Sequence, residues 1–380
     1  MTDWEGQKTI GIIGGGQLGR MLTLAAQPLG FKVIVINPTS NSPAAQVGAE
    51  EIVADLYDPN ALRALAERAD FVTIEIEHLD ATTLGELATL GKPINPEPNT
   101  IRLIQDKLKQ KEFLQAADIP VAPFAAIETI EAAEAQLEKF GGTMLIKTRH
   151  GAYDGRGNMV IHGPADIKNA FTKFADTALY AEQFVPFTKE LAVMVARSLD
   201  GKVVVYPVVE TIHERNICVE VLAPAPVDNS VQQAAAALAG IVAEQLDGAG
   251  MFGIEMFLTA DNKILINEIA PRVHNSGHYT MDASRTSQFE QHIRAISGLP
   301  LGVTDLLAPA AVMINILGER DGPSKLEGLE KALAIPEVSV HLYGKSPTKI
   351  DRKMGHINAT GSTLEEARDR AMAARKQLKI

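Results

Sequence analysis

Two apolar runs, residues 253–259 and 263–269, flank Ala260-Asp261-Asn262, and no other stretch restricts the fold as tightly. The three separating residues carry turn chemistry, so the runs read as a hairpin. With the turn centred between Asp261 and Asn262, Glu255 falls directly opposite Glu268, which puts their Cβ atoms about 4.5–5.5 Å apart. Like charges in register destabilise a sheet, so the pair needs a reason. A hard divalent cation supplies one, because it takes carboxylate oxygens together with phosphate oxygens. The alternative is an edge hairpin whose glutamates point into water. Ile254, Met256, Phe257, Leu258, Ile264, Leu265 and Ile266 argue against it, since they put apolar groups on both faces.

At 380 residues the chain exceeds one ordinary core, and a rule of ~150 residues per domain divides it into two or three. A net charge of −11 and a pI near 5.4 speak against a nucleic-acid binder, whose affinity depends on clustered Lys and Arg. The single cysteine, Cys218, excludes an intrachain disulfide and a cysteine-based zinc cluster. The N-terminal MTDWEGQK lacks the apolar core of a signal peptide. No run approaches the roughly 18 apolar residues of a membrane span. The expectation is a cytoplasmic protein that binds neither nucleic acid nor membrane.

Residues 8–95 alternate strand and helix, the pattern of a parallel sheet with crossover helices. Strands are expected at 9–13, 31–36, 51–54, 71–76 and 93–95. After the first comes Gly14-Gly15-Gly16-Gln17-Leu18-Gly19, followed by an apolar helical stripe through Leu18, Leu22, Ala25 and Leu29. These glycines fit the fingerprint in which a phosphate approaches backbone N–H groups at a helix N-terminus. A dinucleotide reading is weakened by Asn37-Pro38 at the end of the second strand, where an acid would hold a ribose hydroxyl. Another phosphate ligand, or a tight strand–helix turn alone, stays open. The fourth strand ends in Glu75-Ile76-Glu77, two carboxylates that a regular strand would turn to one side, at the sheet edge where ligands bind.

Asn95-Pro96-Glu97-Pro98 marks a boundary. A helical period covers 100–117 and contains Lys107; then 122–185 reads as a small α/β module. In that module Lys147 precedes a glycine-rich cationic loop, 148–158, suited to folding over polyphosphate. A strand at 178–185 ends at Pro186. Its backbone groups could pair with a purine edge, and Glu182 could accept from an exocyclic amine. Strands at 190–198 and 202–209 form a hairpin, and helix 229–245 is amphipathic with Val231, Leu238, Val242 and Leu246 inward. The polar run 270–278 follows the acidic hairpin, a loop placement that commonly binds ligands. Residues 304–380 supply short strands at 311–317, 338–342 and 355–359 and a helix at 363–378.

Taken together, the lysine before the glycine loop, the Glu182 strand and the Glu255…Asn267-Glu268 hairpin resemble the ATP-grasp superfamily. GGGQLGRML, YDGRGN and NEIAPRVHNSGH resemble the N5-carboxyaminoimidazole ribonucleotide synthetase family across essentially the whole chain. The resemblance implies an α/β ATP-grasp fold with an N-terminal Rossmann-like parallel-sheet domain (1–97), an ATP-grasp domain (98–304, lid 122–185) and a small C-terminal α+β domain (305–380). It implies ATP-dependent carboxylation of 5-aminoimidazole ribonucleotide with bicarbonate, through carboxyphosphate, in purine synthesis, by a homodimer. ATP would meet Lys107, Lys147, Tyr153, Asp154, Gly155, Arg156, Gly157, Asn158, Glu182, Gln183, Phe184, Val185, Glu190, His213, Asn267 and Glu268. Glu255 and Glu268 would hold Mg²⁺, with Mn²⁺ as a substitute. The ribonucleotide would meet Gly16, Gln17, Leu18, Glu75, Tyr153, Arg156, His274, Asn275, Ser276, Lys345 and Arg352, with Glu77 the alternative to Glu75. Lys147, Arg272, Asp154 and Lys345 are the catalytic candidates. Ala152 departs from the pattern, where a second glycine is expected. The rivals are another ATP-grasp ligase, such as a formate-using glycinamide ribonucleotide transformylase, a nicotinamide-dependent oxidoreductase, and a non-catalytic nucleotide-binding regulator.

Overall fold

The computed structural model describes residues 6–151 and 157–380. At the N-terminus, β1 (Thr9–Ile13), β2 (Lys32–Asn37), β3 (Glu50–Val53) and β4 (Phe71–Ile74) form a parallel sheet in the order β3-β2-β1-β4. Helix α1 (Gln17–Ala26) covers one face, while α2 (Pro59–Arg68) and α3 (Ala81–Thr89) cover the other. Strand alternation explains this: Val33 and Val35 pack with Met21 and Leu22, whereas Ile34 and Ile36 pack with Leu62 and Leu84. The strand expected at 93–95 shrinks to one parallel bridge, Val72 to Ile94.

The helical period over 100–117 is two helices, α4 (Pro98–Gln105) and α5 (Lys107–Ala116). Asp106 breaks it: its carboxylate accepts from the Leu108 and Lys109 N–H groups and starts a new helix. The lid follows, with β5 (Phe124–Ile127), α6 (Ile130–Lys139), β6 (Met144–Thr148), β7 (Asn158–Ile161), α7 (Pro164–Lys173) and β8 (Leu179–Gln183). Its sheet runs β5-β8-β6-β7. Ile146 and Ala181 face α6 and α7, which leaves Lys147 and Glu182 on the opposite face.

The largest sheet has nine strands, built from β9 (Phe187–Arg197), β10 (Val203–Val205), β11 (Val209–Glu214), β12 (Ile217–Ala223), β13 (Gly250–Thr259) and β14 (Ile264–Ala270), then β15 (Ala310–Leu317), β16 (Val338–Leu342) and β17 (Lys353–Gly361). Its order is β14-β13-β9-β11-β12-β15-β17-β16, with β10 beside β9. The C-terminal strands therefore continue this sheet, through pairs such as Val221 with Met313. Helix α8 (Asn229–Gln245) buries Val231 and Val242 against it. After α9 (Thr280–Ala283), α10 (Gln288–Ser297) packs on α1 and shares a core with it through Phe289 and Ile293. α11 (Leu329–Leu333) and α12 (Leu364–Gln377) close the C-terminal end. The N-terminal sheet is riveted here by His292, fully buried. Its Nδ1 accepts from Met251 N–H at 3.0 Å, so Nε2 carries the proton donated to Thr73 Oγ1 at 2.7 Å. Among the described residues no helix is long and apolar enough to cross a membrane.

Candidate active site

Glu255 pairs with Glu268, as the hairpin reading expects, but by a different route. The turn is centred on Asp261: Thr259 N–H donates to Lys263 O at 3.0 Å, and Leu258 pairs with Ile264 and Met256 with Ile266. Asn267 is then an extra residue in β14, and this bulge restores the pairing of the two glutamates. Two one-residue offsets cancel. The bulge also provides the bend that a role for Asn267 beside Glu268 requires. Burial and the facing Glu268 push the Glu255 carboxyl up to about 7. His274 Nε2 lies 3.5 Å from Glu255 Oε1. The His274 Nδ1 accepts from Ser276 N–H at 3.4 Å, which leaves the ring proton on Nε2, towards the carboxylate.

Helix α5 lays a cationic face across these groups. Lys107 Nζ is 3.0 Å from Glu268 Oε2. One turn on, Lys111 is 2% exposed; its Nζ donates to Ile266 O at 3.1 Å and sits 2.9 Å from Glu182 Oε2. Lys147 Nζ holds the other oxygen, Glu182 Oε1, at 2.7 Å. Burial alone would raise the Glu182 carboxyl; Lys111 and Lys147 outweigh it and leave the group at about 2. The expected adenine acceptor is thus turned inward, because a carboxylate with no solvent exposure needs charged partners. Nothing in the sequence singled out Lys111 or Asp106, although the i, i+4 spacing of Lys107 and Lys111 puts both on one helix face. Asp106 takes Arg149 through Nε at 3.0 Å and Nη2 at 2.5 Å, tying α5 to the end of β6.

The two strand-end glutamates part company, because β4 stops at Ile74. Glu75 accepts from Gly16 N–H and Gly19 N–H, both at 2.5 Å. A Cβ on Gly14 would lie 2.3 Å from Glu75 Cγ, and one on Gly16 would lie 2.6 Å from Glu75 Oε1. The glycine fingerprint is moulded around this side chain, so the seat a dinucleotide diphosphate would take is filled. Burial pushes the Glu75 carboxyl up, against the pull of those N–H groups, Lys345 and Arg272. Glu77 grips Arg272 through Nε at 2.5 Å and Nη2 at 3.0 Å. Burial would raise the Glu77 carboxyl, but Arg272 holds it at about 2.

Most of the other candidates have partners within the chain. The Leu18 side chain is 8% exposed and belongs to the α1 core, so only its backbone and Gln17 can face a ligand. Ser276 is 1% exposed and serves His274. Asn275 exchanges amide hydrogen bonds with Asn315 of β15, at 2.7 and 3.2 Å. Lys345 donates to Lys353 O at 3.0 Å, and Arg352 to Pro347 O at 2.5 Å on its own loop. Gln183 N–H is spent on Pro123 O at 2.8 Å, and Val185 O accepts from Phe187 N–H at 2.9 Å, while Phe184 is exposed. Glu190 meets His213 Nδ1, and this carboxylate outweighs burial to raise the histidine. Gly157 O accepts from Thr148 N–H, and Asn158 pairs with Lys147, so the loop's far end is anchored at β6. Ala152, Tyr153, Asp154, Gly155 and Arg156 lie outside the described residues.

Three family models match the chain: a ribonucleotide synthetase preATP-grasp domain over 7–105, an ATP-grasp domain over 112–289, and a phosphoribosylaminoimidazole carboxylase C-terminal domain over 311–370. A solved N5-carboxyaminoimidazole ribonucleotide synthetase from Thermotoga maritima is 46% identical, with a TM-score of 0.89 over 98% of this chain and 99% of its own. The chain belongs to the N5-carboxyaminoimidazole ribonucleotide synthetase family. It has the α/β ATP-grasp fold of that family of ligases, with the preATP-grasp sheet at its N-terminus. The N5-carboxyaminoimidazole ribonucleotide synthase of Synechococcus elongatus is 42% identical over 92% of this chain and 88% of its own. The Aspergillus clavatus synthase, solved with ADP and 5-aminoimidazole ribonucleotide, is 37% identical with a TM-score of 0.89, over 97% of this chain and 98% of its own. The phosphoribosylaminoimidazole carboxylase of Ogataea methanolica is 46% identical, and the chain spans 68% of its length.

Proposed function

We propose that the chain is the ATP-dependent ligase that carboxylates 5-aminoimidazole ribonucleotide on its amine, with release of ADP and phosphate, for purine synthesis. The observation that carries this reading is that α5 joins the lid to the acidic hairpin: Lys107 meets Glu268, opposite Glu255, and Lys111 bridges the Ile266 carbonyl to Glu182, which Lys147 also holds. The synthase fold solved with ADP and 5-aminoimidazole ribonucleotide supports the choice of acceptor.

The paired carboxylates and the Asn267 amide are hard oxygen donors, which suits Mg²⁺ or Mn²⁺. Among the described residues no cluster of three or more His, Cys, Asp or Glu could hold a metal alone. Two carboxylates therefore fit an ion that completes its shell with nucleotide oxygens and water. Such an ion, when bound, neutralises charge on the transferred phosphoryl group.

The chain's own groups do the remaining work. Lys107 and Lys147 add positive charge beside the phosphates, and His213 with Glu190 borders the nucleotide side. Phosphoryl transfer to bicarbonate gives carboxyphosphate, which the substrate amine captures with release of phosphate, a step that requires water to be kept from the intermediate. Arg272, oriented by Glu77, retains N–H groups for a carboxylate or acyl phosphate. Gln17, Glu75, His274, Lys345 and Arg352 serve the ribonucleotide, and the family resemblance adds Tyr153, Asp154 and Arg156, which lie outside the described residues. The working units are residues 1–97, 98–304 and 305–380, in a cytoplasmic homodimer. The test is ADP release with and without 5-aminoimidazole ribonucleotide and bicarbonate, against a panel of other amine and carboxylate acceptors. Turnover that ignores the aminoimidazole would overturn the reading.

A further inference from the structure

We propose that Lys111 is a positioning residue that shares Glu182 with Lys147 and so leaves positive charge at Lys147 for nucleotide phosphate. The proposal rests on the ATP-ligase reading of the site.

Glu182 has no solvent exposure, and its carboxylate lies between two ammonium groups, Lys111 at 2.9 Å and Lys147 at 2.7 Å. One negative charge between two positive ones leaves a single net positive charge. Lys111 cannot carry that charge to a ligand. It is 2% exposed and also spent on Ile266 O at 3.1 Å. Lys147 is 7% exposed, on the strand that continues through Thr148 to the glycine loop. The surplus charge is therefore available only at Lys147. Without Lys111, Lys147 alone would have to neutralise a buried carboxylate. An uncompensated buried charge is so costly that the whole charge of Lys147 would be spent there.

Lys111 has a second reach. Ile266 is the residue before the Asn267 bulge that brings Glu268 opposite Glu255. Lys107, on the same face of α5, sits 3.0 Å from Glu268. One helix face thus sets the charge on the lid strand and the carbonyl at the start of the acidic bulge.

The experiment compares four proteins: wild type, Lys111→Met, Glu182→Gln and Lys111→Met/Glu182→Gln. It reads the ADP dissociation constant calorimetrically, together with the KM for ATP and for 5-aminoimidazole ribonucleotide. Lys111→Met is expected to weaken ADP binding and raise the ATP KM about tenfold or more, with little change in the aminoimidazole KM. The double variant is expected to bind ADP within about threefold of Glu182→Gln, because no buried carboxylate is left to capture Lys147. A folded Lys111→Met with unchanged ADP affinity would overturn the proposal. So would a double variant about tenfold weaker than Glu182→Gln, a comparison that decides the matter even if Lys111→Met alone fails to fold. ADP binding does not depend on the acceptor, so a wrong carboxylation reading would appear only in the turnover assay.

Discussion

Glu77 and Arg272 join across 195 residues of chain in a two-pronged pair, Nε to Oε2 at 2.5 Å and Nη2 to Oε1 at 3.0 Å. The pair fastens the polar segment after the acidic hairpin to the end of the N-terminal sheet. Glu77→Leu would leave the guanidinium, 17% exposed, without its acid, at a cost below the roughly 3–5 kcal/mol of a fully buried pair. Arg272→Lys would lose the fork geometry that matches a carboxylate. Both are expected to lower the denaturant midpoint and the turnover. Wild-type stability in Glu77→Leu would show the pair to be dispensable.

Gly16→Ala places a methyl 2.6 Å from Glu75 Oε1. Overpacking of this kind costs about 1–3 kcal/mol. In a Glu75→Ser background the same methyl has room, so its cost should fall below ~0.5 kcal/mol. A double-mutant cycle in urea measures the difference. Equal costs in the two backgrounds would detach the glycines from Glu75.

Glu268→Gln keeps the shape of the hairpin but removes one carboxylate and the charged partner of Lys107. Magnesium-dependent ADP formation should drop by more than ~100-fold, since even partners one shell away from a metal are worth 10–100-fold. The circular dichroism spectrum should be unchanged. Turnover at the wild-type rate would remove Glu268 from the metal site.

Burial holds His292 at about 3, well below its ordinary value. The unfolded chain takes up this proton below about 6.5, whereas the folded chain does not until about 3. Its stabilising contribution is complete above pH ~6.5 and falls as pH drops through that window, by up to ~1.4 kcal/mol per unit. His292→Gln should cost stability at pH 7, through the Thr73 and Met251 bonds, and flatten the decline between pH 6.5 and 5. Urea midpoints at pH 7, 6 and 5 check this; an unaltered slope would assign the acid sensitivity elsewhere.

The β–α alternation of residues 9–74, helix α8 and the acidic pair could be read from periodicity and turn chemistry, because each depends on neighbours a few residues away. The break at Asp106 could not, since an apolar period runs through it and only its side-chain bonds to Leu108, Lys109 and Arg149 reveal the cap. The roles of Glu75 and Glu77 depended on where β4 stops, and strand ends are poorly specified locally. Lys111 was invisible for another reason. A lysine on a polar helix looks solvated until a distant carboxylate, Glu182, is known to be buried beside it. The cancelling offsets at Asp261 and Asn267 warn that a correct pairing can come from an incorrect count.

The Asn267 bulge gives the hairpin two registers, one at its tip and one at its acidic half. Its tip, from Leu258 and Ile264 outward, is closed by the Thr259–Lys263 bond and flanked by Phe187 and Lys189 of β9. The acidic half is held from the side, by Lys107 on Glu268 and by Ala192 of β9 beside Glu255. Lengthening, shortening or labelling the Ala260–Asn262 tip should therefore leave the two carboxylates where they are. A reporter dye could be carried there, close to the chemistry yet insulated from it.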